Sequence, residues 1–126
     1  MKIKNCILIE AFKCNKNSSV VDVAKKFKGI TLKHMFVVDE NDYPIGIISI
    51  TDINNRVVAE GKDPKKLIAK DIMSSPVAVA DINDDLGEIY EKMVKKHTVM
   101  EPVVKENKMV GIITIHQIVK NLNNNS

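Results

Sequence analysis

The chain repeats itself, and no other feature of its 126 residues limits the fold so strongly. At a displacement of 66, SSVVDVAKKF (18–27) lies over DDLGEIYEKM (84–93), and FVVDEN (36–41) lies over PVVKEN (102–107). One residue is then lost in a turn. At a displacement of 65, IGIISITDI (45–53) lies over VGIITIHQI (110–118). In the first pair, Val20, Val23, Ala24 and Phe27 meet Leu86, Ile89, Tyr90 and Met93. Both sets have the i, i+3, i+4, i+7 spacing of one helical face. Polar pairs, Ser18–Ser19 and Asp84–Asp85, precede these helices, and Asp22 or Glu88 follows in the first turn. Such residues accept from the free N–H groups of a helix start and suit its positive end.

The later segments read as strand, turn, strand. Asn41-Asp42-Tyr43-Pro44 and Asn107-Lys108 supply turn chemistry. The second strand of each copy is apolar almost throughout, as expected for a strand buried on both sides. Helical spacing then returns at Ile53, Val57 and Val58 and stops near Gly61. Short strands at Glu10–Lys13 and Val77–Val79 complete the pattern. The expected fold is α/β (α+β), with two pseudo-symmetric β-α-β-β-α repeats packed through their sheets into one globular module. The repeats are assigned to 1–61 and 62–126, with a linker at 61–67, a short helix from Lys65 to Met73 and a frayed tail at 121–126. About sixty residues alone make a marginal core, which favours one shared unit.

Composition removes several classes of function. Nineteen Lys and Arg against sixteen Asp and Glu leave a net charge of +3, and the single arginine is Arg56. These charges are interspersed, unlike the clustered basic face of a nucleic-acid binder. The longest apolar run near the N-terminus ends at Glu10, far below the roughly 18 residues that span a bilayer, and no signal-peptide pattern is present. A soluble, cytoplasmic protein without membrane contact is expected. Cys6 and Cys14 are too few and too isolated for a disulfide framework or a zinc site. No nucleophile–base pair, metal-ligand set or GxxxxGK[ST] loop is found, so no enzyme, catalytic residue, cofactor or metal is assigned.

DIMSSPVAV (71–79), PVV (102–104), GIISITDI and GIITIHQI together resemble a tandem pair of cystathionine-beta-synthase (CBS) domains, a Bateman module. The resemblance spans about Cys6 to Leu122. It implies a regulatory or sensor module that binds an adenosine-containing ligand, AMP, ADP, ATP or S-adenosylmethionine, in a cleft between the repeats. It also implies a homodimer, or a regulated enzyme or transporter as partner.

By this resemblance, Ser49 and Thr51 contact phosphate and Asp52 accepts the ribose hydroxyls. Lys33 and His34 face the phosphate. Ser74, Pro76 and Ala78, with Thr98, Val99 and Met100, form the adenine pocket. Thr51 and Asp52 are also preferred helix-cap residues, a reading that stays open beside the ligand role. The second copy keeps Thr114 but has His116 and Gln117 where the first has Thr51 and Asp52, and Glu10 falls where Pro76 does. A neutral glutamine is a poorer acceptor for a diol. One competent cleft and one degenerate cleft (Glu10, Thr114, His116, Gln117) are therefore expected. The alternative is a ligand-free dimerisation or interaction scaffold.

Overall fold

A computed structural model describes residues 1–124. The described chain divides into two compact units, Phe12–Val77 (the first unit) and Met1–Ala11 with the residues from Ala78 onward (the second unit). Boundaries at 1–61 and 62–126 follow the periodicity of the sequence; the compact units are assembled across them.

In the first unit, β1 (Lys13–Asn15), α1 (Val20–Phe27), β2 (His34–Val38) and β3 (Pro44–Ser49) are followed by α2 (Ile50–Ile53). The helical path of α2 continues through Asn54–Val58 with wider turns, in which Ala59 N–H donates to Asn54 O. A short 3-10 turn, Pro64–Lys66, and α3 (Ala69–Ile72) complete this unit. In the second unit, β4 (Ala80–Asp81), α4 (Leu86–Lys96), β5 (Met100–Lys105), β6 (Lys108–Thr114) and α5 (Ile115–Asn124) repeat the order. Each sheet has three strands, β1-β2-β3 and β4-β5-β6, with one parallel and one antiparallel pairing.

The expected helices form where the caps place them. Ser19 Oγ accepts from Asp22 N–H at the start of α1, and Asp85 accepts from Glu88 N–H at the start of α4. Val20, Val23 and Phe27 are buried in the first core, and Leu86, Ile89 and Met93 in the second. Ala24, counted with the apolar face, is exposed, and its equivalent Tyr90 is half-buried; the i+4 position lies at the edge of the stripe.

Several expectations at the joints need correction. The first strand of each unit begins later than expected, at Lys13 and Ala80, because only there does the chain reach a ladder partner, Phe36 or Val103. Leu67 and Ile68 are extended and break the helix expected from Lys65 to Met73. Their backbone bonds the start of α1 instead: Val20 N–H donates to Leu67 O, and Ala69 N–H to Ser18 O. The last strands are not buried on both sides throughout, since β3 alternates buried and half-buried positions and Val110 in β6 is exposed. Residues 121–124 continue α5, with Asn121 Nδ2 donating to Gln117 O and Leu122 packed against the core. The remainder of the tail expected to fray, 125–126, lies outside the described residues.

A second symmetry operates beside the repeat. Met1–Ala11 does for the second unit what 67–77 does for the first. Leu86 N–H donates to Met1 O and Ile3 N–H to Asp84 O, matching the Leu67 and Ala69 bonds one displacement earlier. Ile9 then exchanges two hydrogen bonds with Ile112 (3.0 and 2.9 Å), as Ser74 does with Ile47 (3.0 and 2.9 Å). Each crossing segment thus covers the open edge of a last strand, whose backbone groups would otherwise stay unpaired. Close approach is possible because Gly46 and Gly111 stand there: a Cβ on Gly111 would lie 2.8 Å from Leu8 Cβ, and one on Gly46 2.5 Å from Met73 Sδ.

Candidate functional site

Ser49 ends β3 and caps α2. Its Oγ accepts from Asp52 N–H (3.0 Å), while Asp52 Oδ2 accepts from Ser49 N–H (2.8 Å). This reciprocal pair forms because a short acceptor stands at the N-cap and a carboxylate three residues later. The capping role weighed for Asp52 is therefore present, but it engages one carboxylate oxygen. Oδ1 lies 3.8 Å from Arg56 Nε, beyond hydrogen-bond distance, and the side chain is half-buried.

The same unit brings more of the expected residues together. His34 stands opposite Ser49 in the β2–β3 register, and Lys33 O accepts from Ile50 N–H (3.1 Å). The side chains of Lys33, His34 and Thr51 are exposed, as are those of Ser74 and Pro76. Ser74 is bonded to Ile47, two residues before Ser49. Ala78, Thr98, Val99 and Met100 belong to the second unit. There Val99 O accepts from Ile115 N–H (2.9 Å), and Met100 stands opposite Thr114, reproducing the Lys33 and His34 positions without a cation.

Arg56 was not among the expected site residues. Its Nη1 donates to Ile72 O (2.9 Å) and Met73 O (3.2 Å), and its Nη2 to Ser74 Oγ (3.3 Å). The guanidinium thus joins the helix that carries Asp52 to the segment that carries Ser74. Its signal in the sequence was small: a single arginine four residues after Asp52, the spacing that puts opposite charges on one helical face.

In the second unit, Thr114 and Gln117 reproduce the cap. Gln117 Oε1 accepts from Thr114 N–H (3.1 Å) and Thr114 Oγ1 (3.3 Å), and Thr114 Oγ1 accepts from Gln117 N–H (3.2 Å). Gln117 Nε2 donates to Ile7 O (3.0 Å), so both ends of the amide are engaged. Gln117 also lines a surface cavity of about 430 Å³ with Asn5, Ile7, Lys120 and Asn121. His116 and Glu10 are exposed. The equivalence of Glu10 with Pro76 shifts by one residue. Ile9 pairs as Ser74 does, so Glu10 matches Ser75, and the displacement returns to 66 only at Cys14 and Ala80. A larger cavity of about 620 Å³ runs along α4 from Glu88 to Lys96 and contains none of the candidate residues.

Burial pushes the thiol of Cys14 up to about 11, so it is a core group rather than a nucleophile. Among the described residues, no group of three or more His, Cys, Asp or Glu is arranged to hold a metal ion. No helix among them is long and apolar enough to cross a membrane.

Two β-α-β-β-α units, each finished by a segment that the sequence periodicity assigns to the other repeat, define a tandem module with one reciprocally capped helix start after the last strand of each unit. The chain belongs to the CBS domain family, whose model matches residues 7–59 and 69–124. It is 36% identical over 103 residues to the uncharacterized protein MK0525 of Methanopyrus kandleri, covering 81% of this chain and 53% of that protein. It is 33% identical over 103 residues to a homoserine O-acetyltransferase of Methanobrevibacter ruminantium, covering 81% of this chain and 20% of the transferase. The chain thus spans about half or less of both relatives. Among solved structures, Hypoxic Response Protein I with two coordinated zinc ions superposes with a TM-score of 0.79 at 19% identity, over 95% of this chain and 98% of that one. The CBS domain pair of MJ0100, in complex with 5-methylthioadenosine and S-adenosyl-L-methionine, superposes with a TM-score of 0.74 at 24% identity, over 100% and 98%.

Proposed function

We propose that this chain is a regulatory module that binds one adenosine-containing ligand at Asp52 and is not itself an enzyme. The observation that carries the proposal is the uneven state of two equivalent residues. Asp52 keeps Oδ1 without a hydrogen bond, whereas the Gln117 amide is committed at both ends. A carboxylate oxygen at a half-buried helix start is a strong acceptor for a ribose hydroxyl. The likeness to a CBS pair complexed with 5-methylthioadenosine and S-adenosyl-L-methionine supports an adenosine class. Ser49 and Thr51, with Lys33 and His34, are assigned to a phosphate or its replacement. Ser74, Pro76, Ala78, Thr98, Val99 and Met100 are assigned to the base. Thr114, His116, Gln117 and Glu10 take no ligand. The ligand shifts the balance between two arrangements by its differential affinity for them, and a homodimer or a regulated enzyme or transporter receives the signal.

Thermal unfolding and titration calorimetry with adenosine, AMP, ATP and S-adenosylmethionine test this reading. A ligand that binds the native state raises the melting temperature by mass action. Asp52→Asn keeps an acceptor for Ser49 N–H and removes the charge, so folding survives while affinity falls. The expected loss is about 1.5–3 kcal/mol, or roughly 10- to 150-fold. Gln117→Ala leaves the affinity unchanged. Absence of any shift with all four compounds would replace the sensor by an interaction scaffold.

A further inference from the structure

Each unit must perform two tasks at the same place: close the start of the helix after its last strand, and hold the crossing segment against that strand. In the second unit one side chain does both, since Gln117 accepts within the cap and donates to Ile7 O. Asn121, at the position equivalent to Arg56, donates to Gln117 O. In the first unit the tasks are divided. Asp52 serves the cap, and Arg56, one turn later, holds Ile72 O, Met73 O and Ser74 Oγ. The segment bonds made by Arg56 and Gln117 fall on equivalent carbonyls, because Ile72 and Ile7 both precede the bridging residues Ser74 and Ile9 by two.

We propose that Arg56 is the positioning residue of the Asp52 site: by tethering 72–74 to α2 it leaves Asp52 Oδ1 for the ligand and fixes Ser74 relative to that oxygen. The proposal rests on the adenosine reading above and adds to it the reason why only one of two equivalent positions binds. A guanidinium suits the task because its planar fork reaches two carbonyls and a hydroxyl at once, while an ammonium is a compact single centre. Three contacts onto the segment engage Nη1 and Nη2 of Arg56, while its Nε faces Asp52 Oδ1 at the ion-pair distance of 3.8 Å. Its contribution is therefore preorganisation, which raises affinity by removing an ordering cost from the binding step.

The test uses Arg56→Met and Arg56→Lys in the whole chain. Without ligand, hydrogen exchange is followed at Ser74 N–H and Ile47 N–H, the two amides of the bridge, with the β2–β3 ladder as internal control. Arg56→Met is expected to speed exchange at both bridge amides about tenfold and to leave the ladder unchanged. Calorimetry is then expected to show adenosine and AMP weakened together by about tenfold, with Arg56→Lys recovering part of both effects. Equal affinities in wild type and Arg56→Met overturn the proposal. A loss confined to AMP also overturns it, in favour of a direct phosphate contact. If the wild-type chain binds none of adenosine, AMP, ATP and S-adenosylmethionine, the adenosine reading fails and the positioning role fails with it, whereas unchanged bridge exchange in a binding-competent chain defeats the tether alone.

Discussion

Glu101→Met is expected to stabilise the chain by about 1–3 kcal/mol at neutral pH, because it removes a carboxylate that burial leaves without hydrogen bonds. Glu101 lies in β5, 1% exposed, and neither of its oxygens has a hydrogen-bond partner. Lys92 Nζ approaches Oε1 only to 3.7 Å and also reaches Val79 O at 3.5 Å. The first unit shows what the fold accepts at this point. Met35 occupies the equivalent position with no exposed surface, opposite Ile48 as Glu101 is opposite Ile113. Methionine fills the site with a flexible apolar chain, and Lys92, about one third exposed, can turn its ammonium to water. Removing this acid therefore strands no buried charge.

The pH dependence has a definite sign. Desolvation raises the Glu101 carboxyl above its ordinary value of 4.5, and nearby Asp84 adds to the rise; Lys92 and Lys96 oppose it without cancelling it. The folded chain thus holds this proton more tightly than the unfolded one. Its stabilising contribution is complete below the ordinary glutamate range and is lost as pH rises through the folded value. The advantage of Glu101→Met should accordingly be greatest at neutral pH and shrink on acidification toward 4.5. Urea unfolding midpoints for both chains across this range measure it. A constant difference would show that the charge on Glu101 is not the source.

Gly111→Val is expected to cost about 3 kcal/mol or more, the upper range for overpacking a closed site. Added carbon would meet Leu8 Cβ at 2.8 Å and Ile9 O at 3.0 Å, atoms of or next to the backbone that cannot swing aside. The Ile9–Ile112 bridge must open, and the segment carrying the fully buried Ile3 loses its anchor. The equivalent change to alanine discriminates between the units. Both positions face a backbone oxygen at 3.0 Å, Ser74 O or Ile9 O, but the nearest atom to Gly46 is Met73 Sδ, the movable part of a long side chain, where Gly111 has Leu8 Cβ, so Gly46→Ala is expected to cost less than Gly111→Ala. Unfolding midpoints in the opposite order would mean that the crossing segments are held by something other than this approach.

Much of the candidate site was legible because its parts are local. Ser49 and Asp52 lie three residues apart, and their identities alone suit a reciprocal cap. The same spacing at Thr114 and Gln117 made the inequality of the two copies visible. Arg56 was hidden for the opposite reason. Its partners at 72–74 are 16 to 18 residues away, two of them are backbone carbonyls, and a carbonyl has no letter in a sequence. Glu101 was equally silent, since nothing in PVVKEN or the residue before it says that α4 closes over the carboxylate.

The order of elements, the two helix faces, their caps, the turns and the inequality of Asp52 and Gln117 were determined by sequence, because each depends on spacing within a few residues and on side-chain chemistry. Tertiary structure decided which segment completes which sheet, so that Met1–Ala11 joins the second unit and 67–77 stays with the first. Edge pairing is made by N–H and C=O groups that nearly every residue carries, and it is selected by where the chain can approach closely. The glycines mark those places only after the neighbouring backbone has arrived.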